Sequence, residues 1–280
     1  MQRQSFGEVT VFTSVIWQTC STVVEEGERI FLFDPAYFPN ELDAIADYVN
    51  EIRRGRELIL VLTHGDWDHI VGYPLFADAT VVAHKRILAE GRLEGQIESA
   101  RRFDERYYVM RPEALQIPRI DRVIEGVEEV GEWKTTFYPV PGHVDDMIAT
   151  YIHSHKTLVV GDILSDMEFP FVYHSYEEYL ATLTQMEELV TADLVELLIP
   201  GHGNPTTEKR EMLRRIDQDR RYLEETREAV VQGVANGLSE EAIKEAFGGI
   251  RYAENMIQGE FIQRHLDNMN LLMEHISKKS

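Results

Sequence analysis

Five consecutive apolar residues, Leu58 to Leu62, run directly into Thr63-His64-Gly65-Asp66-Trp67-Asp68-His69. The apolar run reads as a buried strand. The loop that leaves it carries two histidines and two carboxylates between positions 64 and 69. Packed β-structure behind such a loop can hold several side chains on one point. Imidazole and carboxylate together form the ligand set of zinc, iron or manganese. A chain of this kind is expected to fold around a sheet whose edge carries a metal site.

Three further segments repeat the sequence of strand, sharp turn and metal-competent side chain. They are Tyr138-Pro139-Val140-Pro141-Gly142-His143, Leu158-Val159-Val160-Gly161-Asp162 and Leu197-Leu198-Ile199-Pro200-Gly201-His202-Gly203. Each has glycine just before the candidate ligand, where a missing side chain lets the backbone turn tightly. Singly, a histidine after glycine is an ordinary loop residue and Gly-Asp a common turn. Together, in this order, chance explains them poorly.

With these motifs the chain resembles the metallo-β-lactamase superfamily, whose signature is His-x-His-x-Asp-His followed by separate His, Asp and His positions. The motifs span residues 64–202, and Phe33-Asp34-Pro35 resembles the family's early aspartate motif. The resemblance implies an α/β (α+β) fold, a four-layer αββα sandwich with a dinuclear metal site at one edge of its paired sheets. By position it implies that His64 and His143 belong to a first metal and Asp68, His69 and His202 to a second. Asp162 would bridge them, and Asp34 would support the site by hydrogen bonding from behind.

Two positions depart from the family pattern. The second histidine of the signature is Asp66 here. Its carboxylate could bind directly, through water, or not at all. It adds negative charge and tilts preference from zinc toward iron or manganese. Flavodiiron proteins, a branch of the same superfamily, carry glutamate at this position, but no flavodoxin-like domain is evident. Asp145-Asp146 follows His143 where relatives have small residues, and would either narrow the substrate channel or cap the next strand.

The implied activity is hydrolysis of a small ester-like substrate: a lactone, an ester or a thioester. Its cofactors would be two divalent metal ions, zinc first, with iron or manganese as alternatives. Such ions, about 3.5–4 Å apart, share a water and lower its pKa toward neutrality, so that a bridging hydroxide serves as nucleophile. Asp68 is the catalytic candidate, placed to orient the nucleophile and pass its proton to the leaving group. Asp66, Asp68 and the five other ligand candidates make a non-catalytic scaffold the weaker alternative, since desolvated polar groups are costly to gather without use. An iron-dependent oxidoreductase of flavodiiron or persulfide-dioxygenase type remains open through Asp66.

Charge narrows the partners. The formal net charge is −21, and residues 206–280 hold 12 basic and 14 acidic residues against 16 and 35 in residues 1–205. A field of that sign repels nucleic acid and anionic membranes. A small-molecule substrate is expected, with no nucleic-acid or membrane partner. The N-terminal Met1-Gln2-Arg3-Gln4-Ser5 lacks the apolar core of a secretory leader, and the single cysteine, Cys20, permits no internal disulfide. A cytoplasmic protein with Cys20 as a small buried hydrophobe is the expectation.

Strands are expected over residues 8–16, 29–34, 58–62, 80–83, 122–125, 135–138, 148–152, 157–160 and 195–199. Helices are expected from Asn40, as N-cap, to Arg54, within 85–108, and over 176–190, 206–235, a stretch opened by Ser239, and 253–275. Residues 1–205 would form the metal-binding body and 206–280 a helical C-terminal extension packed on it. The inserted segment 87–108 is the natural lid or surface of a homodimer, with Phe103, Tyr107 and Tyr108 as pocket candidates. Tyr173, His174 and Tyr176 are similar candidates. Trp67 reads as a packing anchor with pocket wall as the alternative, His84 as a structural or pocket-lining residue, and His153, His155, His265 and His275 as solvated.

Overall fold

Successive residues of a strand face opposite sides of its sheet, so a strand apolar at every position must be covered on both faces. The computed structural model, which describes residues 1–253, 255–259 and 261–279, follows that rule. Strands β1 (Gln2–Phe6), β2 (Val9–Thr13), β3 (Cys20–Glu26) and β4 (Arg29–Phe33) form an antiparallel meander. Helix α1 (Pro39–Arg53) leads to β5 (Glu57–Val61), which lies parallel to β4 with Val61 opposite Phe33. After the single turn of α2 (Trp67–Ile70) come β6 (Thr80–His84), α3 (Arg92–Tyr107) and β7 (Arg122–Ile124), completing a sheet of seven strands in sequence order.

The second sheet holds β8 (Glu128–Val130), β9 (Thr135–Pro139), β10 (Ile148–Ile152), β11 (Thr157–Val159) and, after α4 (Tyr176–Thr191), β12 (Leu197–Ile199). Strand β10 is antiparallel to β9 and β11, and β12 is parallel to β11. Strands β9, β11 and β12 therefore leave the sheet at the same edge. The chain ends in α5 (Lys209–Ala235), α6 (Glu240–Gly248), a small hairpin of β13 (Arg251–Tyr252) and β14 (Asn255–Met256), and α7 (Phe261–Lys279).

Alternation sorts the core into three seams. Phe31, Phe33, Ile59 and Val61 meet Phe137, Ile148, Ile152 and Ile199 between the sheets. Their strand neighbours Ile30, Leu32, Leu58 and Leu60 turn the other way, onto Ile45 and Val49 of α1 and Leu93 and Ile97 of α3. On the far face Ala149, Tyr151 and Leu158 pack with Leu183 and Met186 of α4 and Ile216 and Leu223 of α5. Each buried Val, Leu, Ile, Phe or Met side chain among them contributes roughly 1.5–3 kcal/mol by leaving water. The result is an αββα sandwich with its C-terminal helices against the second sheet. Among the described residues no helix is long and apolar enough to cross a membrane.

Local expectations fail in instructive places. Helix α1 starts at Pro39, not after an Asn40 cap: proline suits a first helical position, and the Glu41 carboxylate accepts the Phe38 N–H at 3.3 Å. Strand β3, unmarked by alternation in Cys20-Ser21-Thr22, exists because it is paired on both sides. The expected helix 253–275 is replaced at its start by the β13–β14 hairpin, and α7 begins only after Gly259, whose φ is +65°.

Candidate metal centre

Each candidate ligand emerges where a strand ends at one edge of the sandwich. His64 follows β5 by way of Leu62 and Thr63, while Asp68 and His69 lie on α2, with Asp66 just before it. The turns after β9, β11 and β12 deliver His143, Asp162 and His202. The sheets are stitched together here: Ile148 N–H donates to Thr63 O at 2.8 Å and Cys20 N–H, at the start of β3, to Gly201 O at 2.7 Å, while Gly201 N–H ties its own turn to that of Gly161 O at 2.6 Å. Gly201 has no room for a side chain, because a Cβ there would lie 2.1 Å from Asp162 Oδ1.

The four histidines are locked from behind. His143 donates its Nδ1–H to Phe171 O at 2.8 Å, His202 to Trp17 O at 3.0 Å, and His69 to Asp34 Oδ2 at 3.0 Å. The Thr63 hydroxyl donates to Asp34 Oδ2 at 2.5 Å, so it accepts from His64 Nδ1, 3.0 Å away. Acceptors at all four Nδ1 atoms direct the Nε2 atoms inward.

Those Nε2 atoms surround Asp162. They lie 3.5 Å (His64), 3.6 Å (His143), 3.1 Å (His69) and 3.3 Å (His202) from its carboxylate oxygens. Asp66 Oδ2 stands 3.7 Å from His64 and 3.6 Å from His143, while Asp68 Oδ2 stands 3.4 Å from His202 and 3.7 Å from His69. The ligand atoms thus form the groups His64-Asp66-His143 and Asp68-His69-His202, with Asp162 facing His64 and His69 between them. The Nε2 atoms of His64, His69 and His143 and Oδ1 of Asp162 are buried without a hydrogen-bond partner. Orphaned nitrogens and carboxylates converging in this way fit a pair of cations with mixed N/O ligation.

Without a metal, protons must answer the same charge. Burial opposes ionisation of Asp162, yet His202, His69 and His64 hold its carboxyl well below the ordinary range. Burial likewise opposes Asp66, but hydrogen bonding to His143 and the field of His64 bring it to about 2. Burial also works against charging His202, and Asp162 and Glu168 still raise it to about 10. A bound metal would displace such protons.

Beside the cluster lies a cavity of about 210 Å³ whose walls include Trp17, Trp67, Glu168, Phe171, Tyr173 and Arg264. Trp67 is both anchor and wall: it packs on Trp17, Tyr37 and Phe103 while facing the cavity. Gln96 of α3 donates from Nε2 to Asp66 Oδ1 at 3.0 Å, fixing one carboxylate oxygen and leaving Oδ2 toward the histidines. Burial pushes Glu168 up to about 7; His202 pulls down and Asp162 and Asp68 push up. Gln96, Glu168 and Arg264 carry no sequence signal, because each arrives from an irregular loop or a helix remote from the ligand motifs.

Several expectations are corrected. Tyr107 and Tyr108 are exposed and Phe103 packs into the Trp17-Tyr37-Trp67 cluster, so none of the three lines the cavity. Tyr173 does line it, whereas His174 pairs with Glu178 and Tyr176 is buried in the α4 core. Asp145 and Asp146 neither narrow the channel nor cap a strand: Arg92 of α3 reaches them at 2.6 and 2.8 Å, and Asp146 Oδ2 accepts the Gly65 N–H at 3.1 Å. His84 is structural, accepting the Arg86 N–H. His265 is not solvated: it is buried, accepting from Tyr222 Oη and donating to Phe247 O, both at 2.8 Å. His153, His155 and His275 are half-buried, and His153 and His155 bond to Thr136 and to Glu25 O respectively. Cys20 is buried as expected, which pushes its thiol up to about 12.

A family model described as the Metallo-beta-lactamase superfamily matches residues 16–202. Among curated proteins, acyl-coenzyme A thioesterase MBLAC2 of Gallus gallus is 28% identical over 162 residues, 53% of this chain and 57% of that protein. The Homo sapiens protein of that name matches at the same identity and coverage. The chain thus spans little more than half the length of the curated relatives it matches. Among solved structures, metallo-beta-lactamase family protein TTHA1429 from Thermus thermophilus superposes with a TM-score of 0.66 at 17% identity, covering 96% of this chain and 94% of that one. The sec-alkylsulfatase Pisa1 from Pseudomonas sp. gives 0.73 at 13% identity, over 96% of this chain and 49% of that one. TTHA1623, solved in a di-iron-bound form, gives 0.51 at 22% identity, over 73% and 97%. At these identities the structures establish the shared fold.

Proposed function

This chain belongs to the metallo-beta-lactamase superfamily, and from that premise we propose that it is a metal-dependent hydrolase of acyl thioesters, those of coenzyme A first among them. One observation carries the metal chemistry: four buried histidines, each held at Nδ1, turn their Nε2 atoms onto the Asp162 carboxylate. The thioester is supported by the curated relatives named acyl-coenzyme A thioesterase.

His64, Asp66 and His143 would hold one divalent ion and Asp68, His69 and His202 the other, with Asp162 between them. When bound, such ions supply an acidified water and polarise the substrate carbonyl. The chain's own groups do the rest. Asp34 and Thr63 keep His69 and His64 in the metal-binding tautomer. Asp68 stands beside His202, where it can orient the attacking water and carry its proton toward the departing sulfur. A cavity of about 210 Å³ is smaller than the roughly 300–1,000 Å³ of a drug-sized pocket. It would take the reacting end of a long substrate and leave the remainder outside, past Trp17, Tyr173 and Arg264.

Zinc suits the mixed imidazole and carboxylate set. Asp66 favours a second reading, in which a harder His64 half takes iron or manganese and the protein acts as an iron-dependent oxidoreductase. The deciding assay follows free thiol from a panel of acyl-coenzyme A thioesters, after elemental analysis of protein purified without added metal. Thiol release that a chelator abolishes and zinc restores is the expected result. Cys20 adds no background, being buried with a strongly raised pKa. Hydrolysis of lactones or oxygen esters with no thiol release would discard the thioester assignment. Predominant iron with oxygen uptake would select the redox chemistry instead.

A further inference from the structure

The turns beyond Asp162 and His202 are held together by a buried pair on α5 that belongs to none of the ligand motifs. Arg215 and Asp219 are 2% and 1% exposed. Between them they grip both sides of one residue: the Leu164 N–H donates to Asp219 Oδ2 at 3.3 Å, and Arg215 Nη1 donates to Leu164 O at 3.2 Å. The same Nη1 donates to Asn204 O at 2.9 Å. Leu164 lies two residues after Asp162, and Asn204 two residues after His202. Asp166 closes the frame, accepting the Asn204 N–H at 2.8 Å and lying 3.6 Å from Arg215 Nη2. Glu211 and Tyr252 complete the partners of Arg215 and Asp219, at 2.9 and 2.7 Å. Leu164 has a φ of +57°, a left-handed conformation that leucine rarely adopts and that surroundings must hold in place.

We propose that Arg215, with Asp219 and Asp166, is a positioning residue that sets the distance between Asp162 and His202 and thereby the metal affinity of the Asp68-His69-His202 cluster. This rests on the assignment of the centre as a metal site. Stability alone does not call for burying the Arg215 guanidinium against Glu211 and Asp166, because such buried ion pairs can often be replaced by apolar residues without loss. Its geometry does have a use: Nη1 joins two carbonyls, each on a ligand-bearing turn, while Nε and Nη2 of the same planar guanidinium face Glu211 and Asp166, a set of four partners that the compact ammonium of a lysine cannot hold at once. Metal ligands must sit within about 0.2 Å of their required distances, and loss of a supporting partner commonly weakens binding by about 10–100-fold.

The test titrates the metal-stripped, full chain with zinc against a competing chromophoric chelator, and records the cobalt absorption spectrum as a reporter of ligand geometry. Arg215→Lys keeps the charge but cannot hold Glu211, Asp166 and both carbonyls at once. It should weaken one of two binding steps by about 10–100-fold and alter the cobalt spectrum, moving the other step, which shares only Asp162, by clearly less. Asp219→Asn, which retains an acceptor for Leu164, should fall closer to wild type. Asp166→Ala, on the solvent side of the frame, spares the buried pair and should shift the same step if Arg215→Lys does not fold. Two unchanged steps with an unchanged spectrum would overturn the proposal. So would equal weakening of both steps, the mark of general loosening. Wild-type protein that binds no metal would overturn the metal site itself, so the two failures are distinguishable.

Discussion

The His64-Asp66-His143 half of the centre and the Asp68-His69-His202 half use the same types of side chain but are held from different directions. The first is braced through α3: Gln96 holds Asp66, and Arg92 grips Asp146, whose other oxygen takes the Gly65 N–H beside His64. The second is braced from the core and the C-terminal helices: Asp34 holds His69, and Arg215 ties the turn of Asp162 to that of His202. His143 joins the two systems, because Phe171, whose carbonyl holds it, sits between Pro170 and Val172, both bonded to Asn268 of α7. The strand ends present the ligands and hold His64, His69 and His202 from behind, and helices outside the paired sheets add a different brace to each half.

That contrast is open to attack, most strongly through chemistry. Asp68→Asn should lower turnover of the metal-loaded protein by about 10²–10⁴-fold, the usual worth of a placed proton carrier. Asp66→Asn should instead weaken metal binding and recover turnover in excess metal. Equal losses of kcat in both variants at full metal occupancy would erase the functional difference between the halves.

A smaller effect separates the braces. Arg92→Met should weaken metal binding by about 10-fold, the lower end for a lost supporting partner, and should do so in the step that Arg215→Lys moves less. If chelator competition shows both variants moving the same step, the halves are not independently held.

The smallest effect is the pH dependence of metal-free stability, which should differ in sign between the halves. His202, raised to about 10, contributes stability that is complete below its ordinary value of about 6.5 and is lost as pH rises through about 10. Asp66, lowered to about 2, contributes stability that is complete above its ordinary value of about 3.9 and is lost as pH falls through about 2. Thermal melts of metal-stripped protein should show His202→Ala flattening the alkaline limb and Asp66→Asn the acid limb. A matching change on both limbs in either variant would merge the two.

Sequence reading went furthest where chemistry and local geometry coincide. His143, Asp162 and His202 were legible because apolar strand, glycine turn and ligand lie next to one another in the chain. Asp34 was legible by resemblance, and its two oxygens reach Thr63 and His69. Asp145-Asp146 was misread because its partner Arg92 lies some fifty residues away on another element. His265 was misread because a histidine among polar neighbours in a helix looks solvated until Tyr222 and Phe247 close over it.

The amino-acid sequence alone determined the two-faced burial of the strands and the order in which metal-competent residues leave them. Both depend on interactions within a few residues: apolar runs, turn-forming glycines and adjacent donors. Only the tertiary structure decided that Gln96 orients Asp66, that Glu168 and Arg264 share the cavity, and that Arg215 joins two turns. Those contacts are made by long side chains and backbone carbonyls between segments far apart in the chain. Such partners become neighbours only when hydrophobic burial stacks the helices on the sheets.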